Sequence, residues 1–164
     1  MSKTYLTAAG SILTVEARHT SYIRASLDEV PFPQPFDNPL SPNEVYTLAA
    51  QFIQSCPPSN PTLPLKAFPK LMASSTDKQI KMGSTVMLST PGYDLVAKNN
   101  AAVYAAFITV TGPVYANATK VDGGFTVKVP QGVNGQSYVA LTGCSEAVND
   151  DTVAAGPAIV EIAN

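Results

Sequence analysis

The sequence predicts an α+β fold: a long N-terminal helix, a short second helix, proline-rich connectors, and then an antiparallel immunoglobulin-like β-sandwich. Apolar residues recur with helical spacing between Leu6 and Leu27, prolines cluster between residues 31 and 69, and polar and apolar residues alternate from Gln79 onward. These changes of pattern divide the chain into a helix at residues 1–28, a connector at 29–75 with a short helix at 42–55, and a β-domain at 76–164.

The first helix is amphipathic. At 100° per residue, one face collects the apolar side chains of Tyr5, Ala9, Ile12, Leu13, Ile23 and Leu27. Glu16 and His19 fall in the middle of this face and project together, because they are three residues apart. A carboxylate on a covered face needs a partner, since burying it unpaired costs several kcal/mol.

Glu16 and His19 allow two interpretations. Glu-x-x-His on an inward helix face is the ligand unit of di-iron carboxylate bundles, so the pair is a candidate iron or manganese site. Alternatively, Glu16 pairs with a basic residue and His19 is a hydrogen-bonded buried histidine. His19 is the only histidine in the chain and the Glu-x-x-His pattern occurs once, so further ligands would have to come from other helices.

The connector contains a well-signalled helix. Ser41 is a candidate N-cap, Pro42 suits the first helical position, and Glu44 completes a capping box. Prolines on either side favour extended backbone. The predicted apolar stripe of this helix consists of Val45, Leu48, Ala49 and Phe52, and Phe32 and Phe36 are expected to anchor the connector.

The β-domain shows six candidate strands separated by turn signals. The strands are Gln79–Leu88, Ala101–Thr111, Val114–Lys120, Gly124–Val129, Ser137–Thr142 and Ala158–Ile162. The turns are Gly112-Pro113, Asp122-Gly123-Gly124 and Val133-Asn134-Gly135. Residues 145–155, rich in Asn and Asp, are predicted to form a surface loop. Its acidic residues suit calcium, but the spacing matches no known calcium loop and a solvated turn is favoured.

Composition limits the partners. Charged residues make up 13% of the chain and the net charge is −2, so nucleic acid is not an expected partner. The chain has no apolar run long enough to span a membrane. Low charge with many Ser, Thr, Asn, Gly and Pro residues is typical of extracellular proteins, so we expect a secreted protein, although this chain shows no signal peptide.

Two further features fit an extracellular setting. Cys56 and Cys144 permit one disulfide, which would close a loop of about 90 residues and stabilise the fold by roughly 4 kcal/mol; two free thiols are the alternative. Asn117-Ala118-Thr119 is an acceptor triplet for N-glycosylation, provided that Asn117 faces solvent.

Four stretches of the chain resemble a known family. They are AAGSILTVEARHTSYIR, DEVPFPQPFDNPLSPNEVYTLAAQFIQSCP, GGFTVKVPQGVNGQSYVALTG and the tail GPAIVEI. This family is the ferritin-like domain family of secreted fungal proteins, a group that includes stress-response proteins and is similar to plant desiccation-related proteins. The resemblance implies that residues 1–28 are the last helix of a four-helix bundle, with a β-domain following it. It also places Glu16 and His19 in one half of a di-iron site.

Three functions follow as expectations. The first is a secreted, non-catalytic structural or cell-surface protein that forms a homo-oligomer through residues 5–27. The second is a ferritin-like metal protein that uses Glu16 and His19. The third is a carbohydrate-binding module with a cell-wall polysaccharide as partner, suggested only by the sandwich fold. The sequence contains no G-x-S-x-G elbow and no phosphate-binding loop, so catalysis is not expected.

Overall fold

The computed structural model describes residues 3–163, and it confirms the α+β class. Its elements are α1 (Lys3–Ser26), α2 (Pro42–Ala50), β1 (Met72–Ser74), β2 (Thr85–Ser89), β3 (Val103–Ile108), β4 (Val114–Val121), β5 (Gly124–Lys128), β6 (Gly135–Thr142) and β7 (Val153–Ile162). The chain divides into two compact units, Met1–Pro35 and Phe36–Asn164. The first contains α1, and the second contains α2 and the sheet.

Helix α1 ends in a Schellman arrangement. Asp28 takes the left-handed conformation that glycine usually supplies, with φ of 62°. The Asp28 N–H donates to the Ala25 carbonyl at 3.2 Å, and the Glu29 N–H donates to the Arg24 carbonyl at 3.0 Å. These bonds pair carbonyls of the last turn that would otherwise lack intrahelical donors, so the helix has a defined end.

The capping box of α2 forms as predicted. The Glu44 N–H donates to the Ser41 hydroxyl at 3.2 Å, and the Ser41 N–H donates to the Glu44 carboxylate at 2.6 Å. The helix ends at Ala50, five residues earlier than predicted. Residues 51–60 are all exposed, so no buried side chain supports another turn there.

The predicted apolar stripe of α2 is not its buried face. Glu44 and Thr47 are the buried residues of this helix, whereas Val45 and Phe52 are 51% and 90% exposed. Polar bonds set this orientation, because the Thr47 hydroxyl donates to the Asn43 carbonyl at 2.7 Å and accepts from the Phe68 N–H at 2.9 Å.

The two connector aromatics also differ from expectation. Phe32 and Phe36 are 75% and 64% exposed, so neither is an anchor. Polar side chains hold the connector instead. Within the first unit the Arg24 side chain donates to the Val30 carbonyl at 2.7 Å, and within the second the Asn38 amide donates to the Gln136 carbonyl at 3.2 Å.

The strands form one antiparallel sheet in the order β1-β2-β5-β4-β3-β6-β7. Strand β4 joins its two halves: residues 114–118 pair with β3, and residues 119–121 pair with β5. The two halves therefore face each other across one core, as in the predicted sandwich. The Gly156 N–H donates to the Pro69 carbonyl at 2.9 Å beside β1, which makes the sheet nearly barrel-like.

The core draws on both halves of the sheet. Its fully buried side chains include Val86 and Leu88 from β2, Phe107 from β3, and Val139 and Leu141 from β6. All five are apolar, so burial in this shared core accounts for the period-two alternation in the β-domain sequence.

Three strands differ clearly from the sequence prediction. Strand β1 lies within the predicted connector, β2 begins at Thr85 rather than Gln79, and β7 begins at Val153, inside the predicted surface loop at residues 145–155, rather than at Ala158. The first half of β7 also contains Gly156 and Pro157, which were not predicted to be in a strand. Proline is tolerated there because β7 forms a ladder only with β6 among the described strands, so its outer edge needs fewer donors.

Candidate functional site

The apolar face of α1 is exposed. No residue of this helix is buried, and Ile12, Leu13 and Ile23 are 56%, 63% and 57% exposed. These side chains lie on the face that periodicity predicts, with Tyr5 and Leu27 at its ends. A helix of 24 residues, about 36 Å long, therefore presents apolar side chains toward both of its ends, with Glu16 and His19 between them.

Glu16 and His19 lie one turn apart on this surface, and both are exposed. Within residues 3–163, no group of three His, Cys, Asp or Glu side chains is close enough to hold a metal ion. One chain therefore offers two ligands, which do not by themselves fit a di-iron centre of four carboxylates and two histidines.

The two cysteines are free thiols. Cys56 is exposed in the segment that follows α2, and Cys144 is half-buried in the loop after β6. The Cys144 thiol donates to the Ala147 carbonyl at 3.7 Å, so it faces its own loop. The predicted disulfide is not formed in the structure.

Asn117 is exposed in β4, as glycosylation requires. Thr119 is exposed two residues further on, while Ala116 and Ala118 pack against the core. The alternation of β4 therefore puts both polar members of the acceptor triplet on the outer surface.

A groove that Asn117 helps to line was not predicted from the sequence. It has a volume of about 350 Å³ and is lined by Thr85, Thr119, Thr126 and Lys128 among others. The register places these residues on one face, because Thr85 is opposite Lys128 and Thr119 is opposite Thr126. The polar residues of each strand can be recognised in the sequence. The groove could not be, because it depends on the order of the strands in the sheet, which long-range pairing sets.

A second, mainly apolar groove lies where α2 packs beside β1 and β7. It has a volume of about 270 Å³, and its lining includes Leu48, Phe52, Met72 and Ile159. The predicted stripe of α2 therefore contributes to a surface groove. The stripe reaches this groove because of the orientation of α2. Hydrogen bonds from α2 to residues 21 or more positions away help to set that orientation.

The buried polar side chains serve local structure. Glu44 caps α2, the Thr90 hydroxyl donates to the Tyr93 carbonyl at 2.9 Å, and the Thr142 hydroxyl donates to the Cys144 carbonyl at 2.7 Å. The Ser137 hydroxyl likewise donates to the Asn134 carbonyl at 3.2 Å. Each of these groups has a partner that fixes a helix end, a turn or a loop.

Two tyrosines have altered acidity. Burial raises the pKa of Tyr93 to about 12, and the Tyr93 hydroxyl has no hydrogen-bond partner among the described residues. Burial and, to a smaller extent, the nearby Cys144 sulfur also raise the pKa of Tyr115. Both phenols therefore stay protonated at neutral pH and contribute to packing as neutral groups.

The comparisons with known proteins point to the first helix. A family model described as the ferritin-like domain matches residues 1–29. The match covers α1 and its C-terminal cap, including Glu16 and His19, and it leaves the β-domain unmatched. Comparison with curated proteins gives no match to the chain. Within residues 3–163, no helix combines the length and apolar character that a bilayer span requires.

Proposed function

We propose that the chain is a secreted, non-catalytic structural or cell-surface protein that self-associates through α1. The observation that carries the proposal is the face of α1, where apolar side chains with helical spacing are exposed on both sides of Glu16 and His19. The ferritin-like match over the same residues supports this, because helices of that type pack in bundles. We further propose that the protein is of the fungal stress-response type and similar to plant desiccation-related proteins.

An isolated helix in water is marginally stable, and most helices in proteins depend on packing of an amphipathic face. Full burial of a large apolar side chain contributes about 1.5–3 kcal/mol. Burial of four such side chains from each of two chains would therefore stabilise a dimer by on the order of 10 kcal/mol. These side chains are Tyr5, Ile12, Leu13 and Ile23. Association costs about 4–15 kcal/mol, so we expect a concentration-dependent equilibrium.

Association would also give Glu16 a partner. Its carboxylate lies in the middle of the apolar face, where covering it unpaired costs several kcal/mol. In an antiparallel pair of helices, Glu16 of one protomer meets His19 of its partner near the centre of the contact. The two polar residues would then fix the register of the helices, as single polar residues do in coiled coils.

The β-domain supports a structural role. The buried polar side chains of the second unit cap α2 or fix turns and loops, so they have structural tasks. The low content of charged residues, 13%, supports an extracellular setting.

Sedimentation equilibrium of the full chain over a range of concentrations tests self-association. The variant carrying Ile12→Gln and Ile23→Gln should lose association, because two large side chains on the apolar face become polar. Glutamine is the better helix former, so lost helix propensity would not explain the effect. The matched control carries Thr14→Gln and Ser21→Gln on the opposite face and should associate like the unaltered chain. A monomer at every concentration, or equal loss in the control, would contradict the proposal.

A metal protein of the ferritin-like type is the second candidate, favoured by the family match across Glu16 and His19. Because one chain offers two ligands, the others would come from further helices or other chains. Elemental analysis for iron and manganese after purification without chelators tests it. The hypothesis expects bound metal that is lost in Glu16→Gln and retained in Glu29→Gln, a control at an exposed carboxylate after the helix. Absence of metal from the associated protein would remove this candidate.

A further inference from the structure

We propose that Asn117 carries an N-linked glycan on the outer face of β4, at a groove that β2 and β5 also line. The triplet Asn117-Ala118-Thr119 supplies the acceptor amide and the hydroxyl that this modification needs. The inference rests on the secretory route in the proposed function.

The fold of β4 makes the site accessible. Ala116 and Ala118 pack against the core, so Asn117 and Thr119 point to the opposite side and both are exposed. The Asn117 side chain makes no hydrogen bond to any described residue, so attachment of a sugar to its amide nitrogen breaks no hydrogen bond within the protein. A glycan there projects from the middle of an ordered strand and leaves the core side of β4 unchanged.

The groove next to Asn117 suits a sugar. Its volume of about 350 Å³ is lined by Thr85, Thr119, Thr126 and Lys128, with Val127 contributing apolar surface. Threonine hydroxyls and a lysine ammonium offer hydrogen bonds to sugar hydroxyl and acetamido groups. No aromatic side chain lines this groove, so polar contacts would hold the first sugar rather than stacking.

The modification is a glycosyl transfer from a lipid-linked pyrophosphate oligosaccharide, which the secretory pathway of the host supplies. The Asn117 Nδ2 atom attacks C1 of the first sugar and loses one proton. A bond from Nδ2 to C1 forms, the bond from C1 to the pyrophosphate oxygen breaks, and the lipid pyrophosphate leaves with the electron pair.

The chain contains its own negative control. Asn60-Pro61-Thr62 has the same acceptor residues in an exposed loop, but its central proline prevents glycosylation. Pro61→Ala would convert this triplet into an acceptor. That variant shows whether the chain meets the transferase, independently of Asn117.

The test uses the full chain with a cleavable secretion signal, expressed in a eukaryotic secretory host. Purified protein is treated with peptide N-glycosidase in ¹⁸O water and mapped by mass spectrometry, since release of the glycan converts the asparagine to a labelled aspartate. Four chains are compared: the unaltered sequence, Asn117→Gln, Thr119→Val and Pro61→Ala. Thr119→Val keeps a β-branched residue in the strand while removing the hydroxyl.

We expect one glycan per chain, at Asn117, with complete loss in Asn117→Gln and Thr119→Val and a second glycan in Pro61→Ala. An unmodified Asn117 in the secreted protein overturns the inference, most directly where Asn60 of the Pro61→Ala variant is modified. Failure of this inference can be told apart from failure of the proposed function. Self-association is measured on bacterially produced chain, which carries no glycan. If the native protein were not secreted, Asn117 would still be glycosylated in the secretory host.

Discussion

The two units of this protein use their apolar residues in opposite ways. The second unit buries them in one core between the halves of its sheet, where Phe107, Val139 and Leu141 are fully buried. The first unit consists mainly of α1, in which Ile12 and Ile23 are more than half exposed and no residue is buried. The sheet thus has the burial that stabilises a fold, whereas the apolar side chains of α1 are exposed.

This difference indicates that the sheet determines the stability of the β-domain, whereas the face of α1 determines self-association. Substitutions in the sheet should change the free energy of unfolding of the β-domain, and substitutions on the face of α1 should change association.

Removal of a core side chain should have the largest effect. Phe107→Ala should lower the free energy of unfolding of the β-domain by about 3–5 kcal/mol, because it removes buried apolar surface and leaves a cavity. Ile23→Ala on α1 should leave that free energy unchanged, within about 0.5 kcal/mol. Urea unfolding followed by tyrosine fluorescence measures both at a concentration that keeps the chain monomeric. A comparable loss in both variants would show that α1 contributes to the stability of the β-domain.

Two adjacent glycines should differ sharply. At Gly124 a Cβ would lie 2.2 Å from the Leu88 carbonyl oxygen, whereas at Gly123 the nearest atom is a flexible Met87 carbon at 3.9 Å. Gly124→Ala should therefore destabilise the β-domain by about 3 kcal/mol, since backbone must move. Gly123→Ala should cost about 1 kcal/mol, from its φ of 77° alone. Thermal unfolding of the pair checks this, and equal costs would show that the hairpin adjusts to a side chain at Gly124.

The cap of α2 should affect the β-domain moderately. Ser41→Ala removes the hydroxyl that accepts from the Glu44 N–H, and it should lower the free energy of unfolding by about 1 kcal/mol. Ser41→Asp restores an acceptor and serves as the matched control. If Ser41→Ala left the unfolding midpoint in urea unchanged, α2 would not unfold together with the sheet.

Tyr93 should give the smallest effect at neutral pH and a clear one in alkali. Tyr93→Phe removes a buried hydroxyl without a partner, so stability at pH 7 should stay equal or rise by up to about 1 kcal/mol. The folded pKa of about 12 exceeds the unfolded value of 10.0, so the contribution of Tyr93 is complete below pH 10 and is lost as pH rises toward 12. Unfolding from pH 8 to 12 should therefore show a steeper alkaline decline in the unaltered chain than in Tyr93→Phe. Parallel declines would contradict the assigned pKa.

Features that depend only on residues close together in sequence could be predicted from the sequence. The capping box at Ser41 and Glu44 and the turn at Gly123 and Gly124 are of this kind, because their bonds and conformations span a few residues. Period-two alternation predicted β3 to β6, since one side of each strand faces the common core. The face of α1 was equally visible, because helical periodicity places its residues without reference to any partner.

Long-range pairing set the features that the sequence did not predict. Strand β1 is three residues long and pairs with β2, and the start of β7 pairs with the end of β6, where Val153 is opposite Thr142. The buried face of α2 follows from bonds between Asn43 or Thr47 and the backbone of residues 66–68, more than 20 positions away. The groove beside Asn117 likewise required the order of three strands.

Hydrogen exchange at several protein concentrations tests the central claim most directly. If association covers α1, its amides should gain protection as concentration rises, while amides of β3 and β6 keep the same protection throughout. Strong protection of α1 that stays constant down to concentrations where sedimentation shows a monomer would contradict the account, because the helix would then be stable without a partner.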